Sequence, residues 1–402
     1  MRKQKLVLAG VTLLAASLTM SACGTRAEQA PGGEAGAEKV AKIGVIAPLS
    51  GSLSALGADI KNSVDLAIKQ ANENKTIPGW RLEIDAQDDE AKPDVGKNAA
   101  TKLAGDDEVI GIVGALNSSV SQSLQPVLAS ANIVQISPAN TGPTITMGPD
   151  PENPKRAYPH YFRTCTNDTV QGPFAGRFLY EQGFKKLATI HDKKTYGQGI
   201  TAYVTKGFTE AGGEVVAAET INPEDTDFSP VISRVKAAKP EAVWYGGEYP
   251  QAGPLSQQAK AAGLTVPLMG GDGIFDPAFI ELAGKTSEGD FATNVGAPAE
   301  TLESSKQFIT DYEAAGYKEP YAAYGNYPFD AANAIINGLK TSLASASDVK
   351  SARAATIDAV SKVSFDGATG KVEFDEFGDT TNKVITAYEV KGGKWVAVKT
   401  GT

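Results

Sequence analysis

The chain has 402 residues, with 38 Lys and Arg against 47 Asp and Glu, which gives a formal net charge of −9 at neutral pH. This acidic balance argues against nucleic acid as a partner, because phosphate binding depends on Lys and Arg. The length indicates two domains rather than one.

The first 22 residues have the order of a secretory signal peptide. Cations at positions 2, 3 and 5 precede an apolar run from Leu6 to Met20, which ends at Ser21-Ala22-Cys23. The run is shorter than the roughly 20 residues that a membrane-spanning helix needs, so a transmembrane helix is the weaker interpretation.

Residues Met20-Ser21-Ala22-Cys23 resemble a bacterial lipoprotein box, in which small residues precede a cysteine that is diacylated. The resemblance implies export, lipidation of Cys23 and attachment to the outer face of the cell membrane through the lipid alone. Residues 23–40 then form the lipidated cysteine and a flexible tether, because residues 24–38 are rich in Gly, Ala, Glu, Pro and Gln. Secretion with Cys23 as a free thiol is the alternative. Cys165 is left without an intramolecular disulfide partner.

From residue 42 onward, short apolar runs alternate with amphipathic stretches, as expected of parallel sheets covered by helices on both faces. The first set has predicted strands at 43–47, 81–85, 109–114 and 133–137 and helices near 60–74, 91–104 and 119–131. The second set has strands at 186–191, 214–221, 242–246 and 267–271 and helices near 199–211, 228–238 and 251–262. Leu56-Gly57 and Tyr196-Gly197 open a helix at equivalent points of the two sets, which suggests a duplicated unit. The prediction is an α/β fold with two doubly wound, Rossmann-like lobes.

The last third of the chain does not repeat this order. It has predicted helices at 300–315, 328–343 and 349–363, followed by strands at 371–374, 384–390 and 395–398. We expect the helices to return to the first lobe and the final strands to the second, through a hinge that the chain crosses several times. Lobe 1 is thus predicted at 41–165 plus 296–380, and lobe 2 at 166–295 plus 381–402.

The sequence patterns that would indicate an enzyme are either absent or have the wrong spacing. Gly197-Gln-Gly199-Ile-Thr-Ala202 fits a dinucleotide-binding turn, but the segment from His191 to Tyr196 would hold a pyrophosphate away from the helix end. Gly284-Lys285-Thr286 resembles the end of a phosphate-binding loop, but Phe279 stands where the first glycine is required. Neither histidine has a metal-ligand spacing, and no GxSxG sequence occurs. The chain is therefore predicted not to be an enzyme, and to bind neither a cofactor nor a metal.

Small and hydroxyl-bearing residues follow two predicted strands, in Gly114–Ser119 and Ser137–Gly142. Ligands of open α/β sheets bind at the carboxyl ends of strands, close to helix N-termini. Backbone amides at Ser118 and Ser119 would have no intrahelical acceptor and would suit a carboxylate. The simpler alternative is that Ser118 only caps the following helix.

These residues are similar to those of the branched-chain amino-acid-binding proteins of ABC importers, which have the type I periplasmic-binding fold. The resemblance runs from about residue 43 to residue 397 and is carried by the segments 46–51, 114–119, 136–141, 163–164, 171–173, 191–197, 245–247 and 269–273. It implies an extracytoplasmic protein that closes its lobes around an amino acid and presents it to the importer's permease. A ligand sensor of the same fold and an exported enzyme on Rossmann-like lobes are the rival functions.

The resemblance also implies roles for individual residues. Ser118 and Thr141 match groups that bind the ligand α-carboxylate, whereas the Ala139 carbonyl and Asp272 match those that receive the α-ammonium. The side-chain pocket positions are Leu116, Tyr196 and Phe329. The structural alternatives are core packing for Leu116, packing on its own helix for Tyr196, and a turn or cap role for Asp272.

At three positions the chain departs from the family pattern. Leu56 replaces an aromatic residue over the ligand, Asn117 replaces a half-cystine of some relatives, and Glu248 replaces a tyrosine. Glu248 would suit a more positively charged ligand or would pair with a protein cation. If it points away, with Tyr249 in its place, a hydrophobic amino acid is favoured. The resemblance makes Leu, Ile and Val the leading candidates for the ligand, with other amino acids, amides and aromatic acids as alternatives.

Overall fold

The computed structural model describes residues 38–402. The predicted signal peptide, the predicted lipidation of Cys23 and most of the predicted tether lie outside this range. The first strand begins at Lys39, so the last residues of the predicted tether belong to a sheet instead. Within residues 38–402, no helix combines the length and the apolar character that a membrane crossing requires.

Strands and helices alternate through the N-terminal part of the chain. They are β1 Lys39–Ala47, α1 Ser54–Glu73, β2 Trp80–Asp88, α2 Pro93–Gly105, β3 Val109–Gly114, α3 Ser118–Ser130, β4 Val134–Ser137, α4 Thr144–Met147 and β5 Tyr161–Arg163. The strands form a parallel sheet in the order β2-β1-β3-β4-β5. Every residue of β3 is buried, as expected of a central strand that is covered by helices on both faces.

The second part repeats the alternation. Its elements are α5 Asp168–Glu181, β6 Lys186–His191, α6 Thr195–Glu210, β7 Glu214–Thr220, α7 Ser229–Ala237, β8 Ala242–Gly246, α8 Tyr249–Ala261, β9 Leu268–Gly270, α9 Pro277–Ala283 and β10 Phe291–Val295. These five strands are parallel and lie in the order β10-β9-β8-β6-β7. The two doubly wound lobes predicted from the sequence are confirmed.

The C-terminal part contributes helices to the first lobe and strands to the second sheet. Its elements are α10 Ser305–Ala314, α11 Asn326–Ser342, α12 Val349–Val360, β11 Ser364–Gly367, β12 Gly370–Glu373, β13 Ile385–Lys391 and β14 Lys394–Gly401. Helices α11 and α12 pack against β3 and β4 of the first lobe. Strands β11 and β12 pair only with each other, whereas β13 and β14 extend the second sheet in antiparallel orientation beyond β10.

Three connections therefore run between the lobes, at residues 164–167, 296–304 and 374–384. Arg163, the residue just before the first connection, and Asp379 in the third form a fully buried ion pair. Asn167 also donates to the Asp379 carboxylate, at 2.7 Å. Because each buried charge of this pair has its partner, the hinge is held without an isolated charge in the interior.

Two glycines bring the first turns of α1 and α6 close to the strand ends. A Cβ atom at Gly57 would collide with the Pro48 carbonyl, and one at Gly197 would collide with the Gly246 carbonyl. Only glycine permits this backbone approach. It brings the preceding residues, Leu56 and Tyr196, to the cleft between the lobes.

Candidate functional site

A cavity lies between the lobes, where the carboxyl ends of both sheets face each other. Its lining residues are Leu56, Leu116, Asn117, Ser118, Ala139, Tyr196, Glu248, Asp272, Gly273 and Tyr324. Most of the sequence-predicted site residues are thus brought together. Thr141 and Phe329 are not part of the lining.

The lobes are closed in this conformation. The cavity measures about 20 Å³, which holds little more than one water molecule. Hydrogen bonds cross the cleft from Tyr249 to the Ser52 carbonyl and from Thr195 to Gln122. Entry of a larger ligand requires the lobes to separate.

Asp272 follows β9 and is the acid at the centre of the site. It is almost fully buried, and its carboxylate accepts hydrogen bonds from the Tyr324 hydroxyl at 2.6 Å, Gln171 Nε2 at 2.7 Å and the Tyr196 hydroxyl at 2.9 Å. The Tyr196 hydroxyl in turn accepts from the Gly273 amide at 3.0 Å. Tyr196 therefore does more than pack on its own helix, and Asp276 rather than Asp272 caps the next helix, α9.

All three donors to Asp272 are neutral. In the part of the chain that the structure describes, none of the ion pairs involves Asp272. Burial raises the pKa of Asp272, although the hydrogen bonds from Tyr324, Gln171 and Tyr196 act in the opposite direction. Such a carboxylate is costly to keep in a dry cleft, so it favours a ligand that brings a cation.

A second buried acid, Asp168, stands behind Asp272 at the start of α5. Burial and the nearby Asp272 raise the pKa of Asp168 to about 7. Asp168 does not line the cavity. Asp168 therefore supplies no positive charge that could neutralise Asp272.

The N-terminus of α3 is suited to an anion, whereas Asp272 is suited to a cation. Ser118 is the first residue of the helix, is 2% exposed and lines the cavity. Asn117 occupies the N-cap, yet its side chain makes no capping hydrogen bond. The first amides of the helix therefore keep their capacity to bind an anion, because neither an intrahelical acceptor nor the cap residue occupies them.

Thr141 lies outside the cavity wall. It is fully buried, and its hydroxyl makes no hydrogen bond of normal length. The loop that carries it is held by Arg163 Nη1, which donates to the Asn140 carbonyl at 2.8 Å and the Gly142 carbonyl at 3.0 Å. Ala139, at the start of the same loop, does line the cavity.

Glu248, at the end of β8, points into the cleft. Its Oε1 accepts from Asn117 Nδ2 of the first lobe at 2.8 Å, and its Oε2 lies 2.9 Å from Lys194 Nζ. Of the alternatives open for this residue, pairing with a protein cation is the one observed. Tyr249 does not replace it in the cavity lining.

The structure does not bring Phe329, a predicted side-chain pocket residue, into this cavity. Helix α11 begins at Asn326, and Phe329 on its first turn packs against Phe308, with ring centroids 5.2 Å apart. Phe329 lines a separate cavity of about 490 Å³ on the first lobe. Tyr324, in the loop before α11, reaches the cleft instead.

Tyr324, Gln171 and Lys194 are the site residues that sequence reasoning missed. A signal for Tyr324 was present, because Tyr324-Gly325 opens a helix as Tyr196-Gly197 and Leu56-Gly57 do. Gln171 and Lys194 lie in segments that carry the family resemblance, 171–173 and 191–197, but those segments do not show which way either side chain turns.

Comparison with known proteins finds similarity along nearly the whole chain. A family described as periplasmic binding protein matches residues 40–394. The leucine-, isoleucine-, valine-, threonine- and alanine-binding protein of Pseudomonas aeruginosa is 32% identical over 349 residues, covering 87% of this chain and 89% of that protein. A leucine-binding protein structure from Thermotoga maritima has a TM-score of 0.79 at 26% identity, covering 90% of this chain and 98% of that one. A branched-chain amino acid transporter substrate-binding protein of Streptococcus pneumoniae, in complex with isoleucine, has a TM-score of 0.78 at 26% identity, covering 89% and 99%.

Proposed function

Because the chain belongs to the periplasmic binding protein family, we propose that it captures leucine, isoleucine or valine outside the cytoplasm and delivers it to an ABC importer. The family membership expected from the sequence is confirmed, and with it a place among the solute-binding proteins of transporters. The ligand is the part that is proposed. The observation that carries it is Asp272, a buried carboxylate that faces the cleft with neutral donors and, among residues 38–402, without a protein cation.

A free amino acid satisfies both ends of the cavity. Its ammonium would neutralise Asp272 and donate to the Ala139 carbonyl. Its carboxylate would lie at Ser118 and the first amides of α3, where the helix dipole favours an anion. The two charges of a zwitterion are thus bound by groups of opposite character.

An uncharged side chain fits the remaining surface. Leu56 and Leu116 contribute apolar walls, and the Tyr196 ring adds a third. Glu248 is already paired with Lys194 and so offers no free charge to a ligand. The name of the Pseudomonas relative includes leucine, isoleucine and valine among its ligands, which supports the same class here.

Ligand binding would favour a closed form with a wider cleft than this one, whose cavity of about 20 Å³ is too small for an amino acid. Contacts to the first lobe come from Ser118 and Ala139, and contacts to the second come from Tyr196 and Asp272. A ligand that touches both lobes stabilises the closed state by its differential affinity for it. The permease would then recognise the closed protein, and no covalent chemistry is required.

The test is calorimetry on the protein from residue 24 onward. L-Leucine should bind, whereas 4-methylpentanoic acid, which lacks the ammonium, and isoamylamine, which lacks the carboxylate, should bind at least about 100-fold more weakly. Equal binding of 4-methylpentanoic acid would contradict the zwitterion site. A thermal-shift response only to aromatic acids would also contradict it.

We also propose that Cys23 carries the lipid that holds the protein at the outer face of the membrane. The lipoprotein-like residues 20–23 support this. Cys23→Ser should abolish incorporation of labelled palmitate and release the protein from the membrane fraction. Cys165→Ser is the matched control, because Cys165 is fully buried in the fold. Palmitate labelling of the Cys23→Ser protein would contradict the proposal.

A further inference from the structure

Both oxygens of Glu248 are engaged by protein groups. Asn117 Nδ2 donates to Oε1 from the first lobe, and Lys194 Nζ lies 2.9 Å from Oε2. Glu248 is 5% exposed and still forms part of the cavity wall. The cavity wall therefore contains a carboxylate, Glu248, whose negative charge is neutralised by Lys194, a residue outside the cavity lining.

Lys194 reaches Glu248 from outside the ligand space. It is the N-cap residue of α6, and its side chain does not line the cavity. Its ammonium also lies 3.8 Å from Asp192 Oδ2. The side chain of Lys194 is 24% exposed, whereas those of Asp192 and Glu248 are 0% and 6% exposed. One partly exposed cation thus serves two buried acids.

We propose that Lys194 determines which side-chain charge the cleft accepts: its ammonium occupies, from the protein side, the counter-ion position of Glu248, so that only ligands with uncharged side chains fit. The inference rests on the proposed amino-acid function and adds the residue that selects within that class.

The charge balance of the cleft without Lys194 shows the reason. Asp272 is matched by the ligand ammonium in either case. Glu248 and Asp192 would then remain as buried carboxylates without a cation, which is a costly arrangement. A ligand with a second ammonium at the end of its side chain would remove that cost, whereas leucine would leave it in place. The same substitution should therefore weaken leucine and strengthen L-lysine or L-ornithine.

The experiment compares Lys194→Met with Lys193→Met by calorimetry against L-leucine, L-lysine and L-ornithine. Lys193 is the matched control, because its ammonium is exposed and contacts Asn222 at 2.7 Å, away from the cleft. We expect wild type and Lys193→Met to bind leucine and to reject the cationic amino acids. Lys194→Met should bind ornithine or lysine at least tenfold more tightly than wild type does, and leucine at least threefold more weakly.

Two further variants keep the test decisive. Lys194→Arg preserves the charge and should retain the wild-type preference. Lys194→Met with Glu248→Gln removes the acid as well, and should lose the gain for cationic ligands. If Lys194→Met is folded by circular dichroism and its preference is unchanged, the inference is overturned. If Lys194→Met does not fold, the single variant Glu248→Gln is the test. It should still bind L-lysine and L-ornithine as weakly as wild type does, and a higher affinity for either would overturn the inference. If wild type binds no amino acid, the proposed function fails first, and this outcome is distinct.

Discussion

Asn117 donates its side-chain amide to Glu248 across the cleft, at 2.8 Å, although its position at the N-cap of α3 is the one from which it would ordinarily cap that helix. Closure of the lobes therefore does two things together. It joins Asn117 to the second lobe, and it leaves the first amides of α3 available to a ligand carboxylate.

Asn117→Asp should weaken leucine binding by more than about tenfold. The new carboxylate would repel Glu248, and it would cap α3 in competition with the ligand. The melting temperature of the ligand-free protein should not fall, because an N-cap Asp stabilises a helix. Calorimetry and thermal unfolding measure the two quantities.

Asn117→Ser separates these effects. Serine can cap α3 but adds no charge and cannot reach Glu248, so its loss of affinity should be smaller than that of Asn117→Asp. Equal affinities for wild type and both variants would show that the contact between the lobes plays no part in binding.

Asp272→Asn should weaken leucine binding by more than about tenfold, since the ammonium loses its counter-ion. The ligand-free protein should be as stable as wild type or more stable, because a buried carboxylate without a cation is replaced by a neutral group. The matched control is Asp276→Asn, a buried acid outside the cavity that caps α9 by accepting from the Ala278 amide. Asparagine retains that cap, so this variant should bind leucine with nearly wild-type affinity. A normal affinity for Asp272→Asn would refute the assigned role.

Ser118→Ala combined with Thr141→Ala should also weaken leucine binding by more than tenfold, because the ligand carboxylate loses hydroxyl partners. Ser118→Ala alone should account for most of the loss, since Ser118 lines the cavity and Thr141 does not. Ser119→Ala is the control on the same turn of α3. If Ser119→Ala lowers the affinity as much as Ser118→Ala does, the carboxylate lies elsewhere.

The sequence predicted the fold well because most strands are long enough to show a pattern. β3 is six residues of uninterrupted core, and its burial on both faces is readable from composition alone. β5 is only Tyr161–Arg163 and was not predicted, because three residues carry no periodicity. It is a strand because it pairs with β4, and that pairing depends on the tertiary structure rather than on the local sequence.

The sequence predicts those residues of the candidate site whose positions follow from their place after a strand. Ser118 and Asp272 lie in or just after the short loops that follow strands, at the sheet edge where ligands of this fold class bind. The sequence does not show that Tyr324 rather than Phe329 lies at the cavity, because the two positions differ by little more than one helical turn and the exact start of α11 decides between them. Lys194 was missed because the sequence does not show that its charge turns towards Glu248 rather than solvent.

The stability of the protein should depend on pH through Asp168. Burial and Asp272 raise its pKa from 3.8 to about 7, so the folded state retains a proton that the unfolded state loses. The contribution of this group is fully present below about pH 4 and is lost as the pH rises through 7. Asp168→Asn should therefore gain stability relative to wild type between pH 5 and pH 8, by at most about 4 kcal/mol. Urea unfolding at several pH values measures the difference, and a constant difference would contradict the buried proton.

Tyr249→Phe should weaken leucine binding without altering the cavity wall. The Tyr249 hydroxyl donates to the Ser52 carbonyl across the cleft, and Tyr249 does not line the cavity. Its removal costs the closed state about 1 kcal/mol and the open state nothing, which corresponds to roughly a fivefold loss of affinity. The loss should appear as faster dissociation, measured by stopped-flow fluorescence. Tyr312→Phe is the control, because its hydroxyl donates to the Glu319 carbonyl at 3.3 Å and that contact does not cross the cleft. Equal dissociation rates for wild type and Tyr249→Phe would show that this hydrogen bond does not hold the lobes closed, whereas a similar increase in both variants would indicate a general loss of stability.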